Sequence, residues 1–418
     1  MFHQWLFGYE LPDTIVLIRE DGHIWICATK KKCEFVRPAV DKGGEDFVIH
    51  LLLRNKEDSN LENYKTLLAQ ATSTAKEENG ENGAAENGLS APKVGVFAKE
   101  RGANRENGGI LAPWEKKLDG AVEEKAIEIV DVAPSLALIM GQKDETERDL
   151  MKKSSVLSNK VMKHGFVKRL EEIIEDETKI THESLASEIE AILEDPSKIK
   201  LQVPTSDVQT CYFPIIQSGG TYDIRVSAQS TSDNLSPDII TVSFGARYKL
   251  YCSNIARTFL VDPPKKVSET YEILLEMQDA CLEAMRPGNP LKAVHKAAVS
   301  FLQKNGHDDL VTKLPKNLGF AQGLDFRDST LTLSAKNNVQ FKDGMVFCLA
   351  IGFSDLDLSE RDRENTPSNC PVSTYVVSCL YMQHIVVVIH SCWCRFGLCT
   401  GQETIQIRTF VVGYGQHY

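Results

Sequence analysis

The sequence predicts an α/β lobe followed by an α+β lobe and a divergent tail, in a chain of 418 residues. Three observations predict this arrangement. Short apolar runs of strand type alternate with helical segments over residues 1–144, which is the pattern of an α/β lobe. Over residues 145–356 long helical periods are followed by strand-like runs and paired helices, which indicates an α+β lobe. Neither period continues over 357–418, where we predict a poorly ordered tail.

The elements of the first lobe follow from their residue types. Two apolar runs on either side of Asp21-Gly22 predict a β-hairpin, because a Gly-containing turn reverses the chain between short strands. Residues 61–70 have a helical pattern, and the other strand-like runs are 47–53, 94–97 and 127–132. The polar residues 71–92, with Glu-Asn-Gly three times, predict a disordered insertion within this lobe. The cluster Lys30-Lys31-Lys32 is interpreted as a solvated hairpin end.

The second lobe begins with helices. One is predicted over 145–176 and another over 181–193, where apolar residues recur at helical spacing. Alternating Ile240, Val242 and Phe244 predict a strand with one buried face. Two amphipathic helices follow at about 268–286 and 290–304, the second with Asn289 as N-cap, Pro290 at its first position and Gly306 just past its end. The last recognisable strand is predicted over 345–352.

The tail has an unusual composition. Its last 53 residues contain five cysteines and the β-branched run 385–389. Four residues could be proposed as zinc ligands, namely His390, Cys392, Cys394 and Cys399. Their spacing lacks the paired Cys-x₂₋₄-Cys arrangement of structural zinc sites, so we interpret this segment as a divergent terminus prone to aggregate through its β-forming run.

Composition and charge exclude several function classes. The hydrophobic content of 42% and charged content of 25% are ordinary for a globular protein. A net charge of −11 disfavours a tight, sequence-independent grip on DNA phosphates. The N-terminus has no cationic region before its apolar residues, and the longest apolar run, 375–389, is too short to span a membrane. Single cysteines in apolar contexts predict reduced thiols in an intracellular protein.

Three segments of the second lobe contain the most informative pattern. They are Val242–Tyr248 with Cys252–Phe259, then Gly319–Asp325, then Val346–Gly352. Together they resemble the metal-binding segments of the pita-bread metallopeptidases, the family of methionine aminopeptidase, aminopeptidase P, prolidase and creatinase. The resemblance implies a creatinase-type N-terminal α/β lobe followed by a pita-bread lobe, which we expect to be incomplete at its last strands.

The ligand positions of that pattern have changed. The resemblance implies that two aspartates, a histidine and a glutamate would bind a pair of divalent ions, but the matching residues here are Ser243, Asn254, Phe320 and Ala350. The first two are neutral, and the last two have no lone pair to donate. Two cations a few ångströms apart need several carboxylates to offset their repulsion. We therefore expect no metal ion, no other cofactor, no catalytic residue and no small-molecule substrate.

Seven short sequence segments restrict the resemblance to one group within this family. In chain order they are Trp5–Leu11, Lys30–Phe35, Leu150–Lys153, Pro214–Gly220, Tyr251–Asn254, Lys316–Phe320 and Gly352–Leu356. Together they are similar to the N-terminal domain of the large subunit of the FACT histone chaperone, over about residues 3 to 356. The resemblance implies a nuclear, chromosome-associated protein that binds core histones, with unknown contact residues. It also implies roles in nucleosome disassembly and reassembly during transcription elongation, DNA replication and repair.

The resemblance also implies partners: core histones, nucleosomal chromatin and a smaller HMG-box-type subunit, the last through regions that this chain lacks. We expect no membrane partner. Two alternatives stay open. One is a metal-dependent X-Pro aminopeptidase with rearranged ligands, for which Asp325, Asp328, Asp343 and Asp355 are available carboxylates. The other is a truncated product without independent function, because a sheet that lacks its last strand exposes an edge.

Overall fold

The computed structural model describes residues 2–42, 47–55, 57–73, 91–106, 109–220, 222–223, 228–354, 356–357, 376–377 and 383–388. The chain divides into two compact units, residues 1–137 and 138–418. The sequence prediction had placed this boundary between residues 144 and 145.

The first unit is an α/β structure. Its strands are β1 (Ile15–Ile18), β2 (His23–Ala28), β3 (Val48–Leu53), β4 (Lys93–Val96) and β5 (Glu128–Asp131), and its helices are α1 (Phe2–Phe7), α2 (Lys30–Lys42), α3 (Leu61–Thr72), α4 (Ala98–Glu106) and α5 (Leu111–Glu123). The boundary at residue 137 falls within helix α6 (Ala133–Gly141). The strands β1, β2 and β3 form one sheet, in which β1 and β2 make the predicted antiparallel hairpin and β3 adds in parallel. A second sheet pairs β4 with β5 in parallel. One core cluster packs the hairpin residues Ile15 and Trp25 against helices α3 and α5.

Two sequence expectations for this unit need correction. The cluster Lys30-Lys31-Lys32 begins helix α2 and does not end a hairpin, because the helix carries Cys33 and Val36 into a second core cluster. The expected disordered insertion over 71–92 starts too early, since Ala71 and Thr72 complete helix α3 and Ala71 is buried there. Residues 74–90 of that insertion lie outside the described residues.

The second unit opens with a long helix. Its parts are α7 (Glu145–Val161), a π-helical segment (Met162–Val167) and α8 (Lys168–Glu175), followed by α9 (His182–Glu194). Helix α7 begins at Asp144, whose side chain accepts the backbone N–H of Glu147 while the Glu147 side chain accepts the N–H of Asp144. Gly165 of the π-helical segment lies close to Ile192 of α9, where an added Cβ would be 3.2 Å from the Ile192 side chain. The predicted helices 145–176 and 181–193 are confirmed.

A sheet of eight strands follows the helices. Its strands are β6 (Val208–Gln217), β7 (Ile239–Tyr248), β8 (Tyr251–Cys252), β9 (Ile255–Leu260), β10 (Asn317–Ala321), β11 (Thr332–Ser334), β12 (Val346–Ile351) and β15 (Gln383–Val388), and β13 (Leu356–Asp357) pairs separately with β14 (Val376–Val377). The order across the sheet is β11-β10-β12-β15-β9-β7-β6, with β8 paired to β7. Ile240, Val242 and Phe244 are buried against α7, the π-helical segment and α9, as their alternation predicts.

Three further helices connect β9 to β10, namely α10 (Lys265–Ala284), α11 (Lys292–Lys304) and α12 (Asp308–Val311). The predicted N-terminus of α11 is wrong. Pro290 forms a β-bridge with Gln340, and the Asn289 side chain donates to the Ala284 carbonyl, so the helix begins only at Lys292. Gly306 ends it as predicted, with a positive φ of 78° that favours glycine.

The tail contributes a strand to the sheet. We expected the pita-bread lobe to be incomplete at its last strands and residues 357–418 to be poorly ordered. Strand β15 corrects the expected absence of last strands, because it pairs antiparallel with β12 over Gln383–Val388 and meets β9 at His384. The expectation of a poorly ordered tail stays a prediction, since most of 357–418 lies outside the described residues. The β-branched run of this segment favours an extended backbone. The proposed zinc ligands His390, Cys392, Cys394 and Cys399 lie outside the described residues.

Candidate functional site

The four positions of the expected metal centre lie on neighbouring strands. Ser243 is on β7, Asn254 lies between β8 and β9, Phe320 is on β10 and Ala350 is on β12. Antiparallel pairing places Ser243 opposite Ala256 and Phe320 opposite Cys348. The structure therefore gathers these positions on one sheet, as the resemblance implies.

A chain of hydrogen bonds links two of these side chains. The Tyr212 hydroxyl lies 2.6 Å from Ser243 Oγ and 2.5 Å from Asn254 Oδ1. Since the Asn254 oxygen can only accept, Tyr212 donates to it and Ser243 donates to Tyr212. The Asn254 amide then contacts Cys348 Sγ at 3.8 Å. The oxygens that could have bound a metal ion are thus engaged with a phenol.

This hydrogen-bonded chain is electrically neutral. Burial raises the pKa of the Tyr212 phenol well above its usual value. Burial likewise raises the pKa of the Cys348 thiol to about 12. Both groups therefore keep their protons at neutral pH, and neither supplies the negative charge that a cation needs.

Aromatic rings occupy the histidine position and its surroundings. The Phe320 ring lies 5.6 Å from the Phe326 ring, and Tyr212 meets Phe326 edge-on at 5.1 Å. The Arg327 guanidinium lies over Phe320 at 5.4 Å from the ring centre. Such contacts are favourable packing for rings and cations. The Phe320 and Phe326 rings and the Arg327 guanidinium fill this space with groups that do not coordinate metals.

A buried cation, the guanidinium of Arg257, lies beside the site. Arg257 on β9 donates to the Ala256 carbonyl at 2.7 Å, and burial lowers the pKa of its guanidinium. Its charge acts on the Cys348 thiol, which itself contacts Asn254. The Asp328 carboxylate accepts the backbone N–H groups of Thr330 and Leu331.

The donor chemistry does not fit a pair of divalent ions. Within the described residues, no group of three or more His, Cys, Asp or Glu side chains could hold a metal ion. Ala350 pairs with His384 in backbone register and offers no donor of its own. Of the spare carboxylates, Asp355 lies outside the described residues.

Sequence reasoning missed three residues of this site, namely Tyr212, Phe326 and Cys348. Cys348 could have been found, because it precedes Ala350 by two positions and strand alternation places both on one face. Tyr212 could not, because the β6–β7 register shifts on both sides of it.

Two family models match the chain. The FACT complex subunit SPT16 N-terminal lobe domain matches residues 1–135, and metallopeptidase family M24 matches residues 149–388. The solved N-terminal domain of FACT complex subunit SPT16 from chickpea is 31% identical, with a TM-score of 0.78 over 93% of this chain and 84% of that one. This chain belongs to the SPT16 type of metallopeptidase family M24. The predicted resemblance and fold class are confirmed.

Other relatives agree with this assignment. FACT complex subunit SPT16 of Oryza sativa is 35% identical over 87% of this chain, and that of Dictyostelium discoideum is 33% identical over 87%. The chain spans about a third of the length of these curated relatives. The X-Pro aminopeptidase of Thermotoga maritima shares the fold, with 16% identity, 93% of this chain and 89% of that chain covered, and a TM-score of 0.59. Among the described helices, none combines the length and apolar composition needed to cross a membrane.

Proposed function

We propose that this chain is a non-enzymatic, histone-binding module of a FACT complex in the nucleus. In this proposal it engages core histones and nucleosomal chromatin while nucleosomes are taken apart and rebuilt during transcription elongation, DNA replication and repair. One observation carries the non-enzymatic part: Tyr212 occupies the oxygens of Ser243 and Asn254, the two ligand positions that retain any donor. The curated SPT16 relatives support the chromatin part.

The site chemistry supports binding without hydrolysis. Metal-dependent hydrolysis needs an ion that activates water or polarises the scissile carbonyl. Here Ser243, Tyr212 and Asn254 form a neutral chain, and two charged groups near it, Arg257 and Arg327, are cations. The same strands nevertheless keep the sheet of the metallopeptidase fold. We infer that a protein that keeps this fold without its metal ligands uses it to bind a partner.

The acidic character of the chain also supports a basic partner. The chain has 58 acidic against 47 basic side chains, giving the net charge of −11. Core histones are basic, so opposite charge would speed their encounter. Charge alone gives no specificity. The experiment must therefore separate binding that depends on shape from electrostatic attraction that added salt screens.

The full chain should be titrated with purified core histones by fluorescence anisotropy across a salt series. Specific binding is expected to persist above about 0.15 M salt, where exposed charges more than about 8 Å apart are largely screened. Binding that vanishes below that salt concentration would contradict the histone proposal. Added chelator should leave binding unchanged.

The enzyme alternative is tested on the same preparation. X-Pro dipeptides are incubated with the chain and Mn²⁺ or Co²⁺, with and without chelator. Turnover that needs metal and stops with chelator would refute the non-enzymatic proposal. Size-exclusion chromatography and thermal melting test the remaining alternative, since aggregation with a broad melting transition would favour a truncated product without independent function.

A further inference from the structure

The long helix that opens the second unit has a basic side. Residues 150–170 contain five lysines, one arginine and one histidine but no acidic residue, in a chain whose net charge is −11. All five lysines are exposed, and they are Lys152, Lys153, Lys160, Lys163 and Lys168. These five side chains form the lysine face, a local excess of positive charge on an acidic chain.

The π-helical segment keeps the lysine face on one side of the helix. An α-helix turns about 100° around its axis per residue, so Lys152 and Lys160 lie about 80° apart. An uninterrupted α-helix would place Lys168 about 160° from Lys152, on the side that packs in the core. The wider turn over Met162–Val167 advances less per residue and brings Lys168 back toward Lys152. The opposite side carries buried residues, among them Leu157, Val161 and Phe166. Segments of this π type occur often at functional sites.

Positive charge accumulates at the centre of the lysine face. His164 lies in the π-helical segment, and burial together with the charges of Lys160, Lys168 and Lys163 lowers the pKa of its imidazole. Three ammonium groups therefore act on one ring. Like charges on neighbouring turns weaken a helix, so the fold itself gains nothing from this arrangement.

The centre of the lysine face has no acidic partner in the described part of the chain. The neighbouring Arg169 is paired, since its guanidinium lies 3.2 Å from the Glu172 carboxylate and 2.8 Å from that of Glu188. Among the described residues, the three lysines around His164 form no ion pair. Their charge is therefore available to an anion from outside the chain.

We propose that the lysine face binds the phosphate backbone of double-stranded DNA. Its cations are spread over about 24 Å of helix, and duplex DNA carries one negative charge per about 1.7 Å of its axis. A protein partner fits less well, because protein interfaces are built around a buried apolar core. Among the described residues 150–170, Val156 is the one large apolar side chain that is exposed.

The acidic remainder of the chain opposes a tight grip on DNA, so we expect weak and salt-sensitive binding. At physiological salt, exposed charges act over about 8 Å, and the nearby lysines therefore dominate the contact. This inference does not depend on histone binding.

The test uses the full chain and, as the probe, a fluorescein-labelled DNA duplex of mixed sequence, without histones. Fluorescence anisotropy measures the dissociation constant across a salt series. Each phosphate that a lysine contacts adds about 0.9 to the slope of the logarithm of affinity against the logarithm of salt concentration. If all five lysines contact phosphates, the dissociation constant should rise about 20-fold from about 50 mM to about 100 mM salt.

Two triple variants with the same change in charge sharpen the result. The first removes the centre of the lysine face and should bind more weakly, with a rise of only about 3.5-fold over that salt range; it combines Lys160→Gln, Lys163→Gln and Lys168→Gln. The matched control changes three other exposed lysines of the second unit and should keep the rise of about 20-fold; it combines Lys296→Gln, Lys304→Gln and Lys336→Gln.

Three outcomes would overturn the proposal. They are equal losses of affinity in the two triple variants, no DNA binding by the wild-type chain at about 50 mM salt, and displacement of the DNA by poly-glutamate at an equal concentration of negative charge. The last would mean that an acidic protein fits the lysine face as well as DNA does.

Discussion

Replacing Tyr212 with Phe tests the account of the site most directly. The change removes one hydroxyl and keeps the ring that packs on Phe326. Ser243 and Asn254, 6% and 4% exposed, would each lose their bond to that hydroxyl. A buried polar group left without its partner costs about 1–3 kcal/mol, so two such groups should lower the free energy of unfolding by about 2–4 kcal/mol, given that Asn254 keeps its contact with Cys348.

The assay must report on the second unit. Three of the four tryptophans, Trp5, Trp25 and Trp114, lie in the first unit, and Trp393 lies outside the described residues, so no tryptophan lies among the described residues of the second unit. Hydrogen exchange with mass spectrometry over 239–260 is the suitable measurement, because protection there reports the local opening free energy. Tyr248→Phe is the matched control, since its ring contacts Lys153 and its hydroxyl makes no hydrogen bond among the described residues. Equal protection in Tyr212→Phe and wild type would refute the hydrogen-bonded chain.

Three further predictions concern the same unit. Gly245→Ala should destabilise the second unit by about 3 kcal/mol, because the new Cβ would lie 2.4 Å from the Ser253 carbonyl. The control is Gly120→Ala on α5, whose new Cβ meets nothing within 4 Å and should stabilise the helix by about 0.5–1 kcal/mol. Urea unfolding followed by circular dichroism compares the two variants. Ser253→Ala should cost about 1–3 kcal/mol by the same measurement, since its buried hydroxyl bonds to two serines of α7; an unchanged midpoint would show that the network is dispensable. Burial lowers the pKa of His182 from its usual 6.5, so folding favours the neutral ring. The stability that the neutral ring contributes is present above about pH 6.5 and is lost as the pH falls through the lower pKa of the folded state. The urea midpoint should therefore drop between about pH 7.5 and about pH 5.5, and it should drop less in His182→Gln.

Local patterns in the sequence predicted much of the fold. The alternation of Ile240, Val242 and Phe244 identified strand β7, whose three apolar side chains are all buried. Helix starts were less predictable, because tertiary contacts override local preference. Asn289 and Pro290 look like the beginning of α11, but Pro290 forms a β-bridge with Gln340 and the helix begins only at Lys292.

Long-range pairing lay beyond the sequence. The run that forms β15 has an obvious strand composition, but nothing local shows that it inserts between β12 and β9. The sequence predicted the four changed positions of the candidate site but not the contacts that their side chains make. Tyr212 joins it only because the β6 register shifts on both sides of that residue, which breaks the alternation that orients side chains along a regular strand.

The replacements in the site are mutually dependent, which explains how a metallopeptidase fold accommodates them. Carboxylates at the Ser243 and Asn254 positions would be mutually repelling without a cation, and a buried unpaired charge is strongly destabilising. Neutral side chains remove that repulsion, and Tyr212 then satisfies both. Once these side chains are neutral, binding of a metal cation is unfavourable. Arg257 already places a positive charge beside the site, and the packed ring of Phe320 occupies the position of the histidine ligand. Restoring one carboxylate would supply only one of the several ligands that a pair of divalent ions needs, so a return to metal binding would require several simultaneous changes.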